Sequence, residues 1–189
     1  RIQGLRIFCE YRDQRSFPLL LPLLDQPCPV ERMSAVYALG RNPCPSAVQK
    51  LVSLLETDDN AYVRRATAWS LANYDNQIVL EPLINALKND VAAVRLWSSS
   101  SLAEIGNVSS KNAELAAEQL LISLKIDNES GVRSNCIWSL CRLFEKLDNK
   151  FQECFVDECT KIALFDKEPS VMEEAKTALD SMGMQGFYN

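Results

Sequence analysis

Apolar residues recur along this chain in steps of three and four, and no useful length of it alternates with period two. The pattern is clearest from Asn60 to Tyr74. At about 100° per residue, Val63, Thr67, Ser70, Leu71 and Tyr74 share one side of a helix, while Arg65, Trp69 and Asn73 lie opposite. The arrangement repeats. An arginine leads to a leucine seven positions on in Arg32–Leu39, Arg64–Leu71, Arg95–Leu102 and Arg133–Leu140, and Met172–Leu179 is a degenerate copy. Three positions after each anchor stands a small or modest residue: Ala35, Thr67, Ser98, Cys136 and Ala175. A supersecondary unit that recurs in this way stacks on its neighbours to bury a continuous core.

The predicted elements follow from these patterns and from the breakers between them. Arg1 to Asp13 reads as the second helix of a repeat, with Gly4 in the small position. Pro18 opens a leucine-dense helix, since proline is tolerated in a first turn. Pro27 and Pro29 break the chain, and a helix runs from about Val30 to Gly40 or Arg41. Ser46 is placed to cap a helix over Ala47–Glu56, and Asp58-Asp59-Asn60 turns into the helix Tyr62–Tyr74, which Asp75-Asn76 ends. Ile78–Lys88, Val91–Ile105, Ala113–Lys125, a helix from Ser130 or Glu129 through Leu147, Phe151–Phe165 and Val171–Met182 complete the series. Gly183–Asn189 is expected to fray. The chain therefore predicts an all-α fold, one solenoid domain over 1–189 with about five antiparallel helix pairs and an N-terminal half repeat.

The unit resembles the HEAT repeat. Asp59 stands before Val63-Arg64, Asp90 before Val94-Arg95, and Asn128 before Val132-Arg133, with Ala/Ser-Leu pairs beyond. The resemblance implies that the turn residue and the arginine interact between repeats, so the anchor arginines are structural. It also implies that second helices line the concave side of the solenoid. The face opposite the core would then be a groove floor. Position +5 from the anchor holds Arg6, Tyr37, Trp69, Ser100, Trp138 and Thr177, and Trp97 is at +2. All three tryptophans thus map to the non-core face. The candidate binding residues are Tyr37, Arg41, Arg65, Trp69, Asn73, Trp97, Glu104, Trp138, Cys141 and Arg142. Small residues at +8, Gly40, Ala72 and Ala103, are expected to leave room above the floor. Aromatic stripes usually belong to a core, but valine, leucine and isoleucine already fill the core face of these helices, and exposed aromatics beside arginine mark interaction surfaces. In the last repeat the floor turns acidic at Glu173, Glu174 and Asp180, as expected of a solvated capping face.

Composition narrows the function. The hydrophobic fraction of 47% is enough for a continuous core, and the net charge of −5 argues against nucleic acid as the main partner. No apolar run is long enough to cross a bilayer, so no membrane insertion is expected, and no signal peptide is visible. Because the chain opens on Arg1 rather than Met, a preceding segment is expected. The seven cysteines do not follow the spacing of a disulfide scaffold, which points to a reducing compartment. Asn107-Val108-Ser109 and Asn128-Glu129-Ser130 match the glycosylation acceptor pattern by chance in such a chain. The absence of histidine removes Ser-His and Cys-His nucleophilic catalysis and the commonest zinc ligand. There is no glycine-rich phosphate loop and no catalytic constellation.

The candidate metal ligands are Cys28, Cys44, Cys136 and Cys141. Cys28 and Cys44 lie in corresponding proline-flanked turns, where both are expected to be accessible. Cys136 and Cys141, like Cys154 and Cys159, are five apart and do not share a helix face. The plain alternative is that each is a small buried hydrophobe.

A finer resemblance is carried by Arg32-Met33-Ser34-Ala35-Val36-Tyr37-Ala38-Leu39-Gly40, Asn60–Leu71, Ala93-Val94-Arg95-Leu96-Trp97 and Val132–Trp138. These runs look like the cyanobacterial HEAT-repeat proteins. That group includes the E and F subunits of phycocyanobilin lyase, phycobilisome-degradation factor B, and a compact HEAT protein implicated in iron–sulfur cluster handling, to which the similarity is closest. The resemblance implies a maturation factor or adaptor of a photosynthetic organism, in the cytoplasm or chloroplast stroma, holding a photosynthetic or phycobiliprotein-related protein in the groove. It implies two cofactor alternatives. A phycobilin would stack on the aromatic groove residues, the chain then acting as a lyase or bilin chaperone, or an iron–sulfur cluster would sit on the cysteines.

Overall fold

The computed structural model describes residues 4, 7–8, 10–74, 77–184 and 186. Among them are ten α-helices, joined by short 3-10 turns, and no strand. The helices are α1 (Phe17–Leu20), α2 (Pro29–Arg41), α3 (Val48–Thr57), α4 (Ala61–Leu71), α5 (Leu80–Asn89), α6 (Ala92–Gly106), α7 (Ser110–Ile126), α8 (Ser130–Leu143), α9 (Asn149–Phe165) and α10 (Pro169–Ser181). The fold is the expected all-α HEAT-type solenoid. Of the N-terminal half repeat, Gly4, Ile7, Phe8 and Glu10 are helical, while Arg1, Arg6 and Cys9 lie outside the described residues. So do Asp75, Asn76 and most of the C-terminal tail.

The contacts form two compact units, residues 1–101 and 102–189. In the first, α2 packs on α4, and α3 packs on both α4 and α5. Leu39, Leu51, Leu71, Leu83 and Leu87 are buried there, as are all five core-side residues of the Arg64 helix: Val63, Thr67, Ser70, Leu71 and Tyr74. Tyr74 donates its hydroxyl to the Leu39 carbonyl at 3.0 Å and accepts from the Cys44 N–H at 3.3 Å. Burial pushes the phenol up to about 12. Asn42 receives the Asp13 N–H at 2.8 Å and donates to the Phe8 and Ala38 carbonyls, pinning the entering chain. In the second unit, α7 packs on α8 and α9, and α10 packs on α8 and α9. Leu120, Leu124, Ile137 and Phe155 fill its core.

Proline and capping chemistry account for most boundary differences. The leucine-dense helix is broken: α1 is followed by a 3-10 turn over Leu21–Asp25. Pro22 lacks an N–H and its ring meets the carbonyl four residues back, so the α ladder cannot continue through it. Ser46 caps nothing. Its hydroxyl lies 3.0 Å from Cys44 Sγ, and Pro45–Ala47 form a 3-10 turn instead. α7 starts before Ala113 because Ser109 accepts the Asn112 N–H at 3.2 Å. α8 stops at Leu143 rather than Leu147, where Phe144–Lys146 tighten into a 3-10 turn. There Gln152 Nε2 donates to the Phe144 and Leu147 carbonyls at 2.8 and 3.2 Å, and Lys146 Nζ reaches the Asn107 carbonyl.

The repeat arginines are structural. Arg32 forks onto Asp58 at 2.7 and 2.8 Å, Arg64 onto Asp90 at 2.7 Å through both nitrogens, and Arg133 onto Asp166 at 3.0 and 2.7 Å. Each also donates to a carbonyl of its own turn: Gln26 for Arg32, Asp58 for Arg64 and Asp127 for Arg133. Arg95 likewise donates to the Asp90 carbonyl at 2.8 Å. Asp58, not Asp59, carries the first junction, because Asp58 is buried and also accepts the Asn60 N–H at 2.9 Å, whereas Asp59 is exposed. Asn128 contributes a carbonyl to Arg133 at 3.3 Å. Burial works to raise the carboxyls of Asp58, Asp90 and Asp166. The arginine fork, a backbone N–H and the guanidinium charge outweigh it and hold all three below the usual carboxylate range.

Candidate functional site: aromatic–arginine clusters on the second helices

The wheel divides each second helix into a core half and a free half. Packing leaves less of it free. Ala66 and Ala68 are buried, and Ala68 gives its carbonyl to Ser101 Oγ at 2.8 Å, because α4 has a neighbouring helix on each side. What stays open is a stripe at +1, +5 and +9, one residue per turn. Arg65 and Trp69 in α4 are half-buried and Asn73 is exposed; Tyr37 in α2 is half-buried and Arg41 exposed; Trp138 and Arg142 in α8 are exposed.

In the first unit these residues form one cluster. The Tyr37 and Trp69 rings lie 5.4 Å apart at a 55° tilt. The Arg41 guanidinium sits 5.3 Å from the Trp69 ring centroid, and that of Arg65 sits 5.5 Å from Tyr62. Arg65 Nη2 is 3.5 Å from the Tyr37 hydroxyl, and Arg65 Nε is buried with no acceptor. Tyr62, 64% exposed, is a member that the sequence reading missed; its signal was an aromatic three residues before an arginine on one helix. Asn73 turns away and donates to the Ser70 carbonyl at 3.3 Å. Trp97 stands exposed on α6.

In the second unit, the Arg142 guanidinium lies 5.0 Å over Trp138 and pairs with Glu104 at 2.8 Å. Cys141 does not belong to this open face. It is half-buried, and burial, with the Glu174 charge in support, pushes its thiol up to about 11 against a hydrogen bond from Ser181. Those partners place it toward α10. Elsewhere on α10, Glu173, Thr177 and Asp180 are exposed, as a capping face should be, whereas Glu174 is half-buried.

Two further expectations are corrected. Gly40 and Ala103 are buried and leave no space above a groove floor. A Cβ on Gly40 would stand 2.6 Å from Trp69 Cζ3 and 3.2 Å from the Ser70 Cα, so the missing side chain seats the next aromatic. Cys44 is buried rather than accessible, because its N–H turns inward to Tyr74; Cys28 is exposed and Cys136 buried. Among the described residues no three Cys, Asp or Glu side chains gather as metal ligands.

Two grooves lie away from these clusters. One of about 570 Å³ runs along Leu55, Pro82 and Val91 over the Arg64–Asp90 pair. Another of about 410 Å³ runs along Ile126 and Phe165 over the Arg133–Asp166 pair. Their arginines already hold carboxylates. Among the described residues no helix is long and apolar enough to cross a membrane.

Comparisons with known proteins agree with this architecture. The HEAT-repeat family profile matches residues 1–72 and 48–141. No significant match is found among curated protein sequences. The complex of CpcE and CpcF of phycocyanin lyase from Nostoc sp. PCC7120 is similar in structure, with a TM-score of 0.70 at 22% identity over 88% of this chain and 99% of that one. A designed armadillo repeat protein in complex with the peptide (KR)4 gives 0.67 at 18% identity over 100% and 91%. Human deoxyhypusine hydroxylase in complex with glycerol gives 0.55 at 17% identity over 99% and 78%. At these identities the likeness is one of fold, whereas the profile covers most of the sequence: the chain belongs to the HEAT-repeat family.

Proposed function

We propose that this chain is a non-catalytic binding protein, an adaptor or maturation factor that holds a protein partner on the aromatic–arginine stripe of its second helices. The observation that carries this reading is the tilted Tyr37–Trp69 pair with the Arg41 guanidinium over Trp69, a partly open aromatic platform with a cation on it. Aromatic and arginine side chains dominate interface energetics, and stacking fixes them in place before a partner arrives. Peptide capture by a related repeat fold, as in the designed armadillo protein with its bound peptide, supports the same reading. A random-peptide display library panned on the full chain tests it. Peptides that bind should lose at least about tenfold in affinity to a Trp69→Ala/Trp138→Ala variant that keeps its helical circular dichroism. Undiminished affinity removes the stripe from consideration.

A photosynthetic partner, with a phycobilin as its cofactor, is the second reading. Its support is the fold likeness to the CpcE–CpcF complex, together with aromatic faces and guanidinium groups suited to a tetrapyrrole bearing propionates. Mixing with phycocyanobilin should then shift its visible absorbance in the wild type but not in Trp69→Ala; an unshifted spectrum in both counts against it. An iron–sulfur cluster carrier has no group of cysteines behind it among the described residues.

A further inference from the structure

We infer that the Tyr37–Arg41–Arg65–Trp69 cluster recognises an acidic segment of a protein partner, with Arg41 and Arg65 taking a carboxylate and Trp69 the adjoining apolar side chain. The inference rests on the binding reading above and names the chemistry of what binds.

Two environments recur among the described arginines. Arg32, Arg64, Arg133 and Arg142 each meet a carboxylate: Asp58, Asp90, Asp166 and Glu104. Arg41 and Arg65 meet aromatic rings and a tyrosine hydroxyl instead. A guanidinium held over a ring leaves terminal N–H groups that the ring does not take up, and these can grip a carboxylate. Arg65 Nε is itself buried without an acceptor, so a carboxylate would meet this guanidinium through its terminal nitrogens. The second unit shows the completed form of the motif. There Arg142 lies over Trp138 and its Nη2 meets Glu104 Oε1 at 2.8 Å. The +9 residue next to the Trp69 cluster, Asn73, is neutral and turned to its own helix end. The first cluster likewise sets an arginine on a tryptophan, here from neighbouring helices, with no carboxylate on it among the described residues, and an incoming Asp or Glu supplies one. The chain as a whole carries −5, so the two uncompensated cations form a local exception rather than a general basic surface.

Fluorescence polarisation with the full chain tests this. The probes are a labelled alternating Glu–Leu octapeptide and its Lys–Leu counterpart. The Glu–Leu peptide should bind, the Lys–Leu peptide should not, and added salt should weaken the complex. Arg41→Gln/Arg65→Gln should lower affinity for the Glu–Leu peptide at least about tenfold, while Arg15→Gln, an exposed arginine paired with Asp13, should leave it unchanged. Arg41→Glu/Arg65→Glu should transfer preference to the Lys–Leu peptide. Binding of the Glu–Leu peptide that survives both arginine variants overturns the inference, as does a Lys–Leu peptide bound equally well by the wild type. An oligo-dT strand that displaces the Glu–Leu peptide at lower concentration than unlabelled peptide overturns it in favour of phosphate. The library peptides separate the two levels. If they depend on Trp69 but bind the Arg41→Gln/Arg65→Gln protein as tightly as the wild type, the acidic assignment fails and the binding face stands. If they do not depend on Trp69, the face itself fails.

Discussion

Arg133→Met should cost about 3–5 kcal/mol of unfolding free energy, more than any substitution in the aromatic stripe. Arg133 and Asp166 keep only 5% and 10% of their side-chain surface, and their two contacts are 3.0 and 2.7 Å. Removing the guanidinium leaves a buried carboxylate without its countercharge and orphans the Asp127 and Asn128 carbonyls that Arg133 also satisfies. Denaturation in urea reads the loss. The double variant Arg133→Met/Asp166→Asn should recover part of it, since asparagine keeps an oxygen for the Glu168 N–H but carries no charge. A single variant within about 1 kcal/mol of the wild type would mean that the junction opens to water. The acid limb gives a second readout. Asp166 is held below its ordinary value: burial opposes this, and the Arg133 fork, the Glu168 N–H and the Arg133 charge overcome it. A carboxyl depressed in the folded state contributes stability that is complete above its unfolded pKa, about 4, and lost as pH falls through the lower folded value. Arg133→Met should shrink that acid-dependent loss.

Phe155→Ala should cost a similar amount, about 3–5 kcal/mol, by a different route. Phe155 is fully buried in α9, tilted at 55° to Phe144 with centroids 6.3 Å apart, and Cys159 and Ile162 are buried on the same helix. Truncation removes the largest fully buried side chain of the second unit and leaves a cavity between close-packed helices that relax only in part. The urea midpoint should fall while the far-ultraviolet helical signal before the transition is kept. Trp138→Ala, in the same unit but 40% exposed, should cost clearly less. Equal losses would place Trp138 in the core rather than on a binding stripe.

The aromatic–arginine site was legible in outline. Tyr37, Trp69, Arg41, Arg65, Trp138 and Arg142 were all placed on the non-core side by angular position alone, and all are partly open. Asn73 and Cys141 shared that angular position and do not serve the cluster. Asn73 bonds back to its own helix end, and Cys141 is covered from the α10 side. A wheel treats a helix as isolated. It cannot register that the next repeat buries part of the nominally free half, as it does Ala66 and Gly40.

The sequence by itself determined the helical class and the repeat unit, because period, breakers and the Arg-to-Leu spacing are local properties of the chain; the structural role of its arginines came from the resemblance to HEAT repeats. The sequence also determined that charge and residue types exclude histidine chemistry. Only the tertiary structure decided which aspartate each arginine holds, that Trp69 rests on Gly40, and that Arg142 meets a carboxylate while, among the described residues, Arg41 and Arg65 meet none. Those outcomes depend on contacts between residues some 26 to 38 positions apart, and such pairings are fixed by how helices stack rather than by what any one helix prefers.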